Sequence, residues 1–294
     1  MIRRLLSRFM AVPARPVVPP STDDRQATLN SDRFDRYGFD VIALLDSDDT
    51  ASVAAVLEDA GVDGSTPFFA SPAHAWGETA ADIHMQLRTL LDARLAALLP
   101  GYEPFMIAVT AKGGRGPEIK FHHDWTYTDE RYHRPIFLWC PLVDCTPTTG
   151  SLKVVPGSHR WSGGIRPSRR IEVTEAHQQH YETLSIGPDM RAGHAIAFDP
   201  ALIHGSGPNP LDEPRPAITV ALAPQEAQLV HFHESDGGRL DGFEVDAAFF
   251  TTNPYGTRPR GYPTFAPWAD AVSEDELASE LRRSGVLRSP EFTS

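Results

Sequence analysis

From residue 101 onward the chain is a succession of short β-type runs cut by Gly, Pro and Asp turns, and this narrows the folds open to it. The runs are 105–112, 119–123, 135–143, 151–155, 195–198, 201–204, 217–222 and 229–233. Short strands separated by turn signals predict a closed or sandwiched antiparallel architecture. A further strand is expected at 38–45. The intervening sequence reads as helix. Asp46 to Val62 carries Val53, Val56, Leu57 and Ala60 at helical spacing behind Asp caps, and Gly61 ends it. Ala80 to Leu99 places Ile83, Leu87, Leu90, Leu91, Leu95 and Leu98 on one apolar stripe, stopped by Pro100-Gly101. The expectation is a mainly β fold with helices packed on its outside.

Residues 1–30 read as a flexible basic tail with no acid before Asp23. Residues 31–294 read as one domain: helices over 46–100, a β core over about 101–235, and an extension over 236–294. Ser273 and Glu276 form a capping-box pattern for a last helix. The polar stretch 161–190, with helical character near Thr174 to Glu182, is long for a loop, and such loops are usually functional.

A net charge of −12 argues against nucleic acid, whose phosphates demand clustered Lys and Arg. A spanning helix needs about 18 or more consecutive apolar residues, and none occurs, so no membrane partner is expected. Cys140 and Cys145 are the only cysteines and read as buried free thiols, which fits a reducing, cytoplasmic compartment.

One strand end carries chemistry. In Phe121-His122-His123-Asp124-Trp125, residues i and i+2 of an extended chain share a face, so His122 and Asp124 converge while His123 turns away. An imidazole and a carboxylate so placed make two-thirds of a 2-His-1-carboxylate triad, a ligand set that leaves coordination positions open. His204 is the candidate third ligand, because it ends an apolar run and enters the Gly-rich turn Gly205-Ser206-Gly207. Arg215 begins the next strand and could point into the same barrel, where a buried arginine needs a partner such as a carboxylate. A rival metal motif is His231-Phe232-His233-Glu234, although no histidine follows it.

With these residues in place the sequence resembles the phytanoyl-CoA dioxygenase-like family of Fe(II)/2-oxoglutarate oxygenases. The resemblance rests on His122-x-Asp124, His204 and Arg215 in that order, and on two further stretches. Thr149 to His159 resembles the family's Gly-x-Leu…Pro-Gly-Ser-His run, and His204 to Asn209 resembles its His-x-Ser-x-x-Asn turn. Lys112-Gly113-Gly114 sits where the family approaches its H-x-D. The matched span is about 105–225.

The resemblance implies a double-stranded β-helix (jelly-roll, cupin-like) core. It implies Fe(II) on His122, Asp124 and His204, with 2-oxoglutarate as cosubstrate and O2 as oxidant. Arg215 and Ser206 would hold the far carboxylate of 2-oxoglutarate, and Trp139 would line its pocket. Lys112, Trp125, Tyr127, Arg134 and His159 are the candidates for touching substrate. The expected reaction is hydroxylation of an unactivated C–H bond in a small metabolite, amino-acid-like or a specialised-metabolism intermediate, with succinate and CO2 as co-products. Asp124 speaks against halogenation, since halogenases of this fold lack the carboxylate. Desaturation, cyclisation, epoxidation and a non-catalytic sensor remain open.

Overall fold

The computed structural model describes residues 28–273 apart from 63, 72–77, 162, 169–174 and 236, together with Ser279. Almost all of the basic tail, and the helix expected beyond Ser273, lie outside the described residues.

Twelve strands are described: β1 (Phe39–Ala43), β2 (Phe68–Ala70), β3 (Tyr102–Lys112), β4 (Ile119–His122), β5 (Ile136–Pro141), β6 (Leu152–Val154), β7 (His194–Phe198), β8 (His204–Ser206), β9 (Arg215–Pro224), β10 (Val230–Glu234), β11 (Leu240–Glu244) and β12 (Thr264–Phe265). A six-stranded antiparallel sheet has the order β1-β7-β5-β9-β3-β2, and a three-stranded sheet has the order β4-β8-β6. They form the two walls of a jelly roll. A third small sheet, β10-β11-β12, completes the described strands.

Strand alternation explains why the large sheet reads as nearly continuous apolar sequence. Along β9, Ile218, Val220 and Leu222 belong to one core cluster, while Ala217, Ala221 and Ala223 belong to another. β5 divides likewise, with Ile136, Leu138 and Cys140 on the first side and Phe137 and Trp139 on the second. The first side packs against two helices, Ser47–Asp59 and Glu78–Leu98, through Val53, Leu57, Ile83, Leu87, Leu91 and Leu95. A sheet buried on both faces has no polar face to show. Truncating a core leucine such as Leu87 to Ala should cost about 2–5 kcal/mol.

Local sequence accounts for the helix starts and one irregularity. Asp46 accepts from the backbone N–H groups of Asp48 and Asp49, and Asp49 answers in a capping box. The β3–β9 register shifts between Pro104 and Met106, and nearby the Ile107 N–H donates to Nδ1 of buried His84 at 3.0 Å.

Some expectations need correction. Leu90 is 43% exposed, so the apolar stripe of the long helix runs Ile83-Leu87-Leu91-Leu95, one residue per turn. The strand expected at 201–204 instead begins at His204, because Asp199 and Pro200 open a turn that the Leu202 N–H closes onto the Asp199 carbonyl at 2.8 Å. β1 and β2 join the large sheet from outside the expected core span, and β2, β11 and β12 were not anticipated. Both cysteines are free and buried, one in each core cluster.

Candidate active site

β4 and β8 pair so that His122 lies directly opposite His204. β6 flanks β8 on its other side, with Val154 opposite His204. The two imidazole centroids are 4.4 Å apart. Asp124 Oδ2 is 3.8 Å from His204 Nε2, and one ligand atom from each of His122, Asp124 and His204 lies within 4.8 Å of the others. Among the described residues this is the one such group.

The histidines are oriented for a metal. Nδ1 of His122 is 2.8 Å from the Lys120 carbonyl, and Nδ1 of His204 is 2.9 Å from the Leu202 carbonyl. A carbonyl only accepts, so each Nδ1 carries the hydrogen and each Nε2 presents a lone pair to the cluster. Burial pushes the His204 pKa down to about 4, which keeps the ring neutral as a ligand must be.

Strand alternation is not what places Asp124. β4 ends at His122, and Asp124 sits in the loop beyond it, where its N–H donates to the Pro200 carbonyl at 2.8 Å. His123 is outside the ligand group and is among the residues that line the cavity. Burial and the nearby Arg166 hold its imidazole well below the usual pKa, so it stays neutral.

The cluster opens into a cavity of about 200 Å³, lined also by Trp139, Ser206 and Arg215. Arg215 is 4% exposed, and its Nε and Nη1 are buried with no hydrogen-bond partner. Its guanidinium lies 5.0 Å from the Trp139 ring centroid, and burial lowers its pKa to about 10. Lys112 is Arg215's register partner across β3 and β9 and is fully buried. Its Nζ donates to Ser206 Oγ at 2.9 Å and to the Gly207 carbonyl. Burial, helped by Arg215, drops the Lys112 pKa to about 7. Buried donors without acceptors cost free energy unless something fills them. The donor set here, a guanidinium fork with a hydroxyl beside it, fits a carboxylate.

The residues expected to touch substrate divide. Trp125 and Tyr127 line the cavity. Lys112 does not; it lies behind Ser206 as a prop for the turn. Arg134 is away from the cavity, bridging Asp35 at 2.7 Å and Asp199, and stacked 4.4 Å from the Phe34 centroid. His159 is also outside, its Nε2 3.2 Å from the Asp35 carbonyl and its ring tight against Gly38. Both line a neighbouring cavity of about 350 Å³. The proximity of Arg134 to the motif in sequence did not carry into space.

The structure adds wall residues that sequence reasoning did not name: Phe68 and Ala70 of β2, Met106 of β3, Arg166, and Tyr255. Tyr255 meets Trp125 edge-on, centroids 4.9 Å apart. The only advance signal was regional, since Arg166 falls in 161–190 and Tyr255 in the irregular 249–268 segment. Among the described residues the rival motif forms no metal-ligand group: His231 is buried against Trp125, Phe249 and Phe250, and His233 is outside the ligand cluster.

A His/Asp/His cluster at the mouth of a double-stranded β-helix is the arrangement of the non-haem metal oxygenases. Comparison with family models agrees: the model described as phytanoyl-CoA dioxygenase (PhyH) matches residues 27–217, and the chain belongs to that family. Among curated proteins it is similar to Dioxygenase FUM3 of Gibberella moniliformis, 30% identical over 90 residues, covering 29% of this chain and 26% of that one. It is also similar to a probable phytanoyl-CoA dioxygenase of Caenorhabditis elegans, 32% identical over 97 residues, covering 29% of each. The matched stretches thus span under a third of these relatives' own length. Among solved structures, apo EctD from S. alaskensis superposes with a TM-score of 0.50 at 22% identity, covering 74% of this chain and 84% of that one. HygX from Streptomyces hygroscopicus, with nickel, 2-oxoglutarate and hygromycin B bound, gives 0.50 at 14% identity, covering 85% and 100%. These likenesses support the shared fold.

Proposed function

We propose that the protein is an Fe(II)- and 2-oxoglutarate-dependent dioxygenase that hydroxylates an unactivated C–H bond of a small metabolite. The observation that carries this reading is one cavity holding both a His122/Asp124/His204 cluster and the unpartnered donors of Arg215. A metal site alone would fit many activities. A buried guanidinium beside it asks for a cosubstrate that is anionic at one end and chelating at the other.

His122, Asp124 and His204 would hold the metal on one face, through two neutral imidazoles and a carboxylate. Together with O2 and 2-oxoglutarate, which leaves as succinate and CO2, the iron supplies the oxidising chemistry. Arg215 grips and orients the distal carboxylate through its fork. Ser206 accepts from Lys112, so its own hydroxyl hydrogen is left to donate to the same carboxylate. The Trp139 ring spreads under the guanidinium and fixes its plane.

The rest of the cavity wall includes Trp125, Tyr255, Phe68 and Met106, with Arg166 as a further cation. Arg166 is already ion-paired with Glu130. Such a wall excludes water from the metal and favours a substrate whose reacting part is apolar. Asp124 occupies the position that a halide would need, which favours hydroxylation.

The test is anaerobic addition of Fe(II) and 2-oxoglutarate to the purified protein, followed by a screen of metabolites for substrate-dependent succinate release. A visible metal-to-ligand charge-transfer band that requires both additions is expected. No band, and no succinate with any substrate, would remove the reading.

A further inference from the structure

The weak point of the metal site is the loop that carries Asp124. His122 and His204 are locked by the β4–β8 ladder, but Asp124 lies beyond the end of β4 and no strand holds it. Its backbone is held from two sides. One hydrogen bond runs from its own N–H to the Pro200 carbonyl. Another is to its carbonyl, from Arg166 Nε at 2.8 Å.

Arg166 does more than this. Its Nη2 reaches the next carbonyl, that of Trp125, at 3.4 Å, and also the Glu130 carboxylate. Its backbone is tied to the same loop twice, with the Thr126 N–H donating to the Arg166 carbonyl at 2.9 Å and the Arg166 N–H donating to Thr126 Oγ1 at 3.0 Å. On the other side its segment is pinned to the rest of the fold. The Ile165 N–H donates to Asp270 O at 2.9 Å, the Val272 N–H donates to Ile165 O at 2.8 Å, and the Ser168 N–H donates to Phe232 O at 2.8 Å. The side chain is 4% exposed and lies between the metal cavity and its neighbour, lining both.

We infer that Arg166 is the positioning residue for the carboxylate ligand: its guanidinium, held by Glu130, sets the backbone of Asp124 and Trp125 and so fixes both a metal ligand and a wall of the substrate cavity. The inference rests on the metal-site reading above. The physical case is geometric. One planar group donates from two nitrogens to two successive carbonyls and to a carboxylate, whereas a lysine ammonium offers its donors from a single nitrogen and lacks the fork. Partners outside the ligand set typically tune metal affinity by about 10–100-fold. A fully buried guanidinium without its carboxylate would be costly, so Glu130 belongs to the same device.

The experiment compares wild type, Asp124→Ala, Arg166→Lys and Glu130→Gln as full-length proteins. Co(II) is titrated anaerobically, with its d–d absorption bands as the readout, and thermal unfolding checks that each variant is folded. Wild type should bind Co(II), and Asp124→Ala should weaken binding and alter the bands. If wild type fails to bind, or Asp124→Ala changes nothing, the metal-site reading itself falls, and this inference with it. Given that site, Arg166→Lys should lose about 10–100-fold in Co(II) affinity with shifted bands. Glu130→Gln, which leaves Arg166 able to reach the loop, should show a smaller loss in the same direction. A folded Arg166→Lys protein with wild-type affinity and bands would overturn the inference while leaving the metal site intact. Should Arg166→Lys not fold, Glu130→Gln decides, and wild-type behaviour there overturns it equally.

Discussion

His122 and His204 oppose each other as a cross-strand pair, one residue from each of two adjacent strands, with ring centroids 4.4 Å apart. Two of the three candidate ligands are therefore positioned by a single backbone ladder, and each imidazole is locked by the carbonyl two residues before it. Replacing either histidine with Ala should abolish metal binding and substrate-dependent succinate formation, while the cooperative unfolding transition is kept. Full turnover by either variant would refute the ligand set. The check is metal content by elemental analysis beside a succinate assay.

Arg215→Ala should leave metal binding intact and raise the apparent KM for 2-oxoglutarate. A charge-assisted hydrogen bond is worth about 1.5–3 kcal/mol, so losing one or two predicts a rise of roughly 10- to 100-fold or more. Arg215→Lys should not restore the wild-type value, because the fork is lost. Steady-state kinetics with 2-oxoglutarate varied provides the measurement, and an unchanged KM would place the cosubstrate elsewhere.

Gly150 lies at φ +88°, and a Cβ there would come within 3.4 Å of Arg215 Nε and Lys112 Cδ. Gly150→Ala therefore carries a left-handed backbone penalty of about 1–2 kcal/mol, and relief of that strain would shift the turn packed against the carboxylate grip. The expected outcome is a lower Tm together with weaker 2-oxoglutarate binding. Calorimetric unfolding with and without 2-oxoglutarate would show both.

Tyr255→Ala removes the ring that meets Trp125 edge-on at the mouth of the cavity. It should raise the KM for substrate and increase the share of 2-oxoglutarate consumed without substrate oxidation, with metal affinity unchanged. Comparing succinate formed with product formed tests this. A ratio equal to that of wild type would mean the ring does not guard the site.

Burial lowers the pKa of both His231 and His159 to about 4. The unfolded chain holds these protons below about 6.5, so between pH 6.5 and 4 it binds more protons than the native state. Stability of the metal-free protein should therefore be complete above pH 6.5 and fall as pH drops through that window. His231→Phe should flatten part of the dependence. The measurement is Tm against pH in chelator; about 2–4 °C per kcal/mol holds for 150–250 residues, and this chain of 294 residues should fall at the low end.

The jelly roll was legible because β5 and β9 are buried on both sides, which leaves long apolar runs between turns. The chemistry was legible where a strand end or turn carries it: His122, His204, Ser206 and Arg215 all sit at the boundary of a regular element. Periodicity failed where structure is irregular or short. β2 and β12 have three and two residues, too few to show alternation. Leu90 was misplaced because its neighbours at i+1 and i−3 blur a stripe set by 3.6-residue geometry. Arg134 and His159 follow motif residues closely in sequence, but each turns away to close an ion pair or a turn near Asp35. Arg166 and Tyr255 reach the cavity from segments whose path is set by tertiary contacts, so no local pattern announces them.

Lys112 and Arg215 stand side by side on neighbouring strands, both buried, and no ion pair to either is found among the described residues. Burial, and then the charge of Arg215, weakens the hold of Lys112 on its proton, while burial alone weakens that of Arg215, so this barrel end gathers buried positive charge. A dicarboxylate offsets that charge on arrival. Cosubstrate would thus act as a keystone, its distal carboxylate tying the start of β9 at Arg215 to the end of β8 at Ser206.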